Sequence, residues 1–155
     1  MTRLLPRLLV ALLYLQPFSP AAARQLDSAA PGTLVVIRGR VVCLDESGNR
    51  TSGLFGCDIS TSRFGLVDRD EKLHSFDLAE ASTAIFRDDR VRARDLQITA
   101  RLNSKKQLEL IKVQSVLGAK LYDIYYFCEI CNIRAYAPGP CPCCRNELEF
   151  RETPP

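Results

Sequence analysis

At 155 residues the chain has room for one domain, or for one domain and a small module. Its 46% hydrophobic and 25% charged residues are ordinary for a soluble globular protein. A formal net charge of only +3 gives no electrostatic footprint for a phosphate backbone, which argues against a nucleic-acid partner.

Residues 1–23 read as a secretory signal. Arg3 and Arg7 supply the positive end, Leu8 to Leu15 the apolar core, and Ala21-Ala22-Ala23 the small-residue cleavage site. The apolar run is too short to span a bilayer, so no transmembrane anchor is expected in the mature chain. Cleavage after Ala23 would leave nineteen basic residues against eighteen acidic. A periplasmic or secreted location follows, with Gln25 to Gly32 as a short polar lead-in.

Thr33 to Leu44 is rich in β-branched residues and predicts a strand, with Gly39 marking a bulge or a sharp bend. Residues 45–61 carry turn formers throughout and predict a long loop. Cys43 and Cys57 bracket it. In an exported chain a disulfide between them would stabilise the fold by about 3 kcal/mol on the loop-entropy view; the alternative is two free core thiols.

Arg63 to Val67 and Leu73 to Phe76 read as short strands around the turn Asp68–Lys72. Asp77 and Glu80 form a capping box that opens a helix, with Leu78, Ala81 and Ile85 on its buried face and Asp88-Asp89 at its end. Val91 to Leu102 alternates as a strand, with a bulge expected near Asp95 where the register shifts. Asn103–Lys106 turns the chain into a further strand, Gln107 to Val116. Three strands, a helix and two strands, with a central glycine in the first, is the layout of the OB-fold.

The expected fold is therefore mainly β: an OB-like five-stranded barrel with one helix over residues 33–118, followed by a small zinc-ribbon module over residues 119–151. An antiparallel sandwich is the alternative. Residues 33–116 also look similar to small secreted barrel proteins of soil bacteria that have no assigned role. Lys120 to Cys128 is a strand with both faces apolar, Tyr125 and Phe127 opposite Ile124 and Tyr126. Packing at the module junction explains that pattern; a stacking platform for bases is the competing reading.

Five of the seven cysteines fall between Cys128 and Cys144. Cys128-Glu-Ile-Cys131 and Cys141-Pro-Cys-Cys144 are two pairs at metal-ligand spacing, joined by nine residues that include Ala137-Pro138-Gly139-Pro140. Two such turns facing each other make a closed tetrathiolate site through Cys128, Cys131, Cys141 and Cys144. Zn²⁺ suits that set, and iron in a rubredoxin-like site is the competitor. Disulfide pairing of the same cysteines is the other option. Cys143 could replace Cys144, at the poorer C-x-C spacing; otherwise it is a spare thiol.

The run Tyr126-Phe127-Cys128-x-x-Cys131, then Pro138-Gly139-x-Cys141-Pro142-x-Cys144 and Leu148, resembles the small heavy-metal-binding domain attached to metal-efflux proteins. That domain reads Y-x-C-P-M-H-P and then P-G-x-C-P-x-C-G-M-x-L. Here Cys131 stands in place of its histidine, and Arg145-Asn146 in place of its Gly-Met. A fourth thiolate in place of imidazole and thioether removes the ligands suited to handing copper or silver onward. The resemblance implies a metal-stapled ribbon and not transport.

No Ser-x-x-Lys, Gly-x-Ser-x-Gly, H-E-x-x-H or phosphate-binding glycine loop is present, so no enzymatic activity is expected. His74 is the only histidine and reads as a surface or core residue. Arg90, Arg92 and Arg94 form either an anion patch or a face paired with the neighbouring aspartates. The expected function is a non-enzymatic binding or interaction protein with a structural zinc site, its partner an unidentified protein or small ligand. A metal-handling or thiol-redox protein using Cys-Pro-Cys-Cys is the alternative, ahead of a nucleic-acid-binding OB barrel with a zinc ribbon.

Overall fold

The computed structural model describes residues 28–51, 57, 63–77 and 81–155. The expected signal at 1–23, most of the loop at 45–61, and Leu78 and Glu80 of the expected helix start lie outside the described residues.

Strand β1 (Leu34–Leu44) is followed by β2 (Arg63–Asp68), β3 (Leu73–Ser75), a 3₁₀ helix at Ala81–Arg87 and a single α-turn, α1 (Asp89–Arg92). Then come β4 (Leu96–Leu102), β5 (Leu108–Leu117), β6 (Lys120–Cys128), β7 (Ile133–Ala135) and β8 (Glu149–Thr153). The strands form one antiparallel sheet in the order β3-β2-β1-β4-β5-β6-β7, with β8 paired to β6. The protein is mainly β, and the sheet is open.

This corrects the expected closed barrel. Strand β3 is three residues long, and its end meets β5 at one isolated parallel bridge, Phe76 to Leu108, supported by the Asp77 N–H to the Leu108 carbonyl at 3.0 Å. A single bridge is not a ladder. At its far end β5 pairs instead with β6, Gln114–Leu117 against Lys120–Asp123, so the sheet runs on toward the cysteines.

The central glycine acts as the bend. Strand β1 pairs with β4 through Leu34–Gly39 and with β2 through Gly39–Leu44, so Gly39 is where the strand passes from one ladder to the other. A Cβ there would lie 2.1 Å from the Val67 carbonyl oxygen. Only a residue without a side chain permits that approach.

Two further expectations are corrected. Val91 and Arg92, expected to open a strand, belong instead to the α-turn Asp89–Arg92, because the Asp88 side chain accepts the Arg90 N–H and caps the turn. The strand begins at Leu96, and its irregularity is not at Asp95. Thr99 faces Lys112 and Ala100 faces Leu110, so the extra residue is Ile111 on the partner strand. The preceding helix is the tighter 3₁₀ form, burying Ile85 and Phe86.

The core is continuous. Leu66, Phe76, Phe86, Leu96, Ile98 and Leu102 pack with Tyr126, and the same cluster reaches Cys128, Cys141 and Leu148. Phe86 meets Phe64 edge-on and Phe76 at 5.0 Å between ring centres. Strand β6 is buried at Ile124, Tyr125, Tyr126 and Cys128, as its two apolar faces predict. In the core the Tyr126 hydroxyl donates to the Asp88 carboxylate at 2.8 Å, and the Arg90 guanidinium donates to the same group at 2.7 Å. Arg94 adds an ion pair to Glu152 of β8 at 2.9 Å.

Burial pushes the Asp88 carboxyl up, but hydrogen bonds from Arg90 and Tyr126 outweigh it and leave it below its ordinary value of 3.8. A depressed carboxylate contributes stability that is present above that ordinary value and lost as pH falls through the lower folded value. Replacing Tyr126 by Phe removes one donor from a buried charge. It should cost about 1–3 kcal/mol near pH 7, and urea titrations should show the deficit shrinking as pH falls through the depressed folded value of Asp88, below 3.8. Gly39→Ala should cost about 2 kcal/mol or more by overpacking against backbone, read by the same denaturant titration.

Candidate metal centre

Strand β6 ends at Cys128, and the hairpin tip Glu129–Asn132 returns the chain into β7, with Cys128 facing Ile133 and Tyr126 facing Ala135. Cys131 sits on that tip. The second cysteine pair lies on a turn closed by a Pro140–Glu147 bridge, with the Cys141 N–H to the Asn146 carbonyl at 2.7 Å and the Arg145 N–H to the Cys141 carbonyl at 3.0 Å. Strand β8 then carries the chain back onto β6.

The two turns are built alike. In each, the sulfur of the first cysteine accepts backbone N–H bonds from the residues two and three further on: Ile130 and Cys131 for Cys128, Cys143 and Cys144 for Cys141. In each, the residue after the second cysteine is left-handed, Asn132 at φ 51° and Arg145 at φ 65°. The left-handed residue turns the chain so that the preceding amides aim at one sulfur. Amides aimed that way favour thiolate over thiol.

The four sulfurs of Cys128, Cys131, Cys141 and Cys144 lie within 4.8 Å of one another, with Cys128 and Cys144 at 3.5 Å. A regular Zn–thiolate tetrahedron with bonds of about 2.3 Å has sulfur–sulfur edges of about 3.8 Å. The donor set and its spacing fit one tetrahedral ion. Cys128 and Cys141 are buried, whereas Cys131 and Cys144 are partly open. Cys144 therefore stands in the group, and Cys143 is exposed outside it.

The thiols bear unlike loads. The amides of Cys144 and Cys143 draw the Cys141 thiol down to about 7. Cys131 is raised, first by its hydrogen bond with Cys143 and then by Cys144 and burial. At Cys128 the Cys131 amide pulls down, but burial and the Cys144 and Cys141 thiols leave the group raised. Four sulfurs share a space that favours negative charge at one of them. A cation among them relieves the competition, since metal ligation requires all four as thiolates.

Cys43 and Cys57 are joined in a disulfide, with their Cα atoms 5.6 Å apart, as the sequence leads one to expect. His74 is a core residue, 8% exposed, with Nε2 2.7 Å from Asp68 Oδ2; it holds the β2–β3 turn and takes no part in the cysteine group. The three arginines do not form a patch: Arg90 turns to Asp88, Arg94 to Glu152, and Arg92 donates to the Phe86 carbonyl at 2.6 Å. The aromatic rings of β6 are not open platforms either. Arg134 lies 4.0 Å over Tyr125, and Arg151 lies 4.4 Å over Phe127.

Sequence reasoning missed the paired left-handed residues. Asn after a C-x-x-C is a readable signal because Asn tolerates that region; Arg is not. No protein-family model, curated protein or solved structure matches this chain. The likeness to the heavy-metal-binding domain thus rests on motif order and spacing, and on four cysteines clustered within metal-binding distance, compatible with a zinc-ribbon-like site.

Arg145 occupies a backbone region that costs an L-residue about 1–2 kcal/mol. Arg145→Gly should raise stability by about 0.5–1 kcal/mol after the entropy cost of glycine, seen as a higher denaturant midpoint with an unchanged slope.

Proposed function

We propose that the chain is an exported, non-enzymatic binding or interaction protein whose C-terminal residues 119–151 are stapled by one structural Zn²⁺. The observation that carries this is the convergence of two like-built turns on one four-sulfur group, with backbone amides already aimed at two of the sulfurs. Zn²⁺ is preferred to iron because a staple needs no redox change. A staple is preferred to an exchange site because Cys128 and Cys141 belong to the hydrophobic core. Stripping the ion would leave unpaired thiolates there.

Export is supported by the signal pattern of residues 1–23 and by the Cys43–Cys57 disulfide, a bond typical of oxidising compartments. Among the described residues no helix is long and apolar enough to cross a membrane. The strand order β3-β2-β1-β4-β5, with the Phe76–Leu108 bridge, supports a partly open OB-like layout for residues 33–118. The near-neutral charge and the arginine-covered rings weigh against nucleic acid. One observation favours a second reading, a thiol-redox protein: Cys143 is exposed and hydrogen-bonded to Cys131.

Elemental analysis of freshly exported protein should find one zinc per chain, and intact mass should place the first residue at Arg24. Serine at Cys128, Cys131, Cys141 or Cys144 should abolish the zinc. Alkylation of the native protein should label Cys143 alone until a chelator is added. A Cys131–Cys144 type crosslink without zinc in functional protein would sink the staple and favour the redox reading. An intact Met1 would sink export.

A further inference from the structure

Strands β5 and β6 are paired only through Gln114–Leu117 and Lys120–Asp123. Beyond Gln114 they separate. Strand β5, bulged at Ile111, stays with β4 as far as Leu108, while β6 runs on to the hairpin it makes with β7. The wedge between them is a cavity of about 440 Å³, within the size range of small-molecule sites.

The lining is unevenly built. Ile85, Val113 and Ile124 are buried and make an apolar floor, whereas Ile111 and Tyr136, 53% and 64% exposed, stand at the rim. Exposure of two such large side chains beside one cavity is unusual for surface that faces only water. The charges are also uneven. Asp123 is satisfied by Lys112 at 2.8 Å and by Gln114 at 2.7 Å, both on Oδ1. The other cation of the lining, Arg134, makes no direct ion pair among the described residues, although its charge is near enough to help hold the Asp123 carboxyl down. Its guanidinium is instead stacked over Tyr125. A stacked guanidinium is held in plane, and its unused N–H fork matches a carboxylate.

We propose that this cavity binds a small organic carboxylate with a flat or branched apolar body, its carboxylate on Arg134 and its body on Ile111, Val113 and Tyr136. The proposal deepens the binding-protein reading above and rests on it. It also gives the cysteine group a task. Arg134 lies on β7, between the hairpin tip that carries Cys131 and the turn that carries Cys141, so the ion that closes the hairpin would hold one wall of the cavity.

The test is a titration of the full folded protein with 3-phenylpropionate, and with 3-phenylpropionamide as the neutral isostere, followed by calorimetry and by methyl NMR of Ile85, Ile111 and Ile124. Saturable one-to-one binding of the acid is expected, at least about tenfold tighter than the amide, the share a charge-assisted hydrogen bond supplies. Arg134→Gln should bring the acid down to the amide's level without changing metal content. Equal binding of acid and amide, an unaltered affinity in Arg134→Gln, or shifts confined to other methyls would overturn the site. Metal content is measured on the same sample. A zinc-loaded protein that fails to bind sinks the cavity and leaves the staple standing. Binding by a metal-free protein sinks the staple and leaves the cavity standing; a metal-free protein that does not bind sinks the staple, and if it still fails to bind after reloading with Zn²⁺ the cavity falls too.

Discussion

The hydrogen bond from the Tyr126 hydroxyl to the Asp88 carboxylate, 2.8 Å long and shut away from solvent, ties β6 to the α-turn that precedes β4. Asp88 caps the α-turn that follows the 3₁₀ helix, so it belongs to the first half of the chain. Tyr126 lies on β6, two residues before the first sulfur of the cysteine group. An ionised carboxylate in a core is tolerated only with its full set of donors. Asp88 has three: its own helix amide, Arg90 and Tyr126. Satisfying that charge forces β6 to lie against the turn, with Phe150 of β8 packed edge-on to Tyr126 and Arg90 stacked over Phe150. The register of β6 then decides where Cys128 emerges.

Strand identity was legible because β-branched and aromatic runs are long and turn residues sharp; β1, β2, β5 and β6 begin and end within a residue or two of their expected limits. Sheet closure was not legible. It depends on how many residues of β3 reach β5, and three residues with one bridge stop short. The stretch at 91–92 was misread for a related reason. Arg-Val-Arg-Ala-Arg alternates as a strand does, but a carboxylate at Asp88 recruits its amides into a turn. Local capping chemistry outweighs a two-residue period over so short a span. The break near Asp95 reflects the end of the α-turn, whereas the bulge leaves its own mark in β5, where apolar Leu108 and Leu110 are followed by Ile111 and Val113 in the opposite phase.

The cysteine group was almost wholly legible, since spacing alone brings two C-x-x-C turns to one point. The choice between Cys143 and Cys144 needed geometry: the Cys144 sulfur falls within the group of four, while Cys143 is exposed and touches that group only at Cys131. What spacing could not give is the company the cysteines keep: Cys128 and Cys141 are part of the same apolar cluster as Ile98 and Phe86. A break at the sulfurs reaches the main core through Tyr126 and Leu148.

That continuity also bears on how one chain can carry a disulfide beside a group of four free cysteines. Cys43 and Cys57 are bonded where the loop brings their Cα atoms to 5.6 Å. The other sulfurs are close enough to one another to crosslink as well, and an oxidising compartment would drive them to do so. Two features oppose it. The amides aimed at Cys141 stabilise its thiolate, whereas Cys128 is held as the thiol, and burial hides both sulfurs from an incoming oxidant. A thiolate without a cation in that setting is unstable, and a thiol wastes the amides. A bound divalent ion resolves both, and it removes the lone pairs that oxidation would need. Export and metal are therefore linked propositions here: the more oxidising the surroundings of this chain, the more its cysteine group depends on being filled before it arrives.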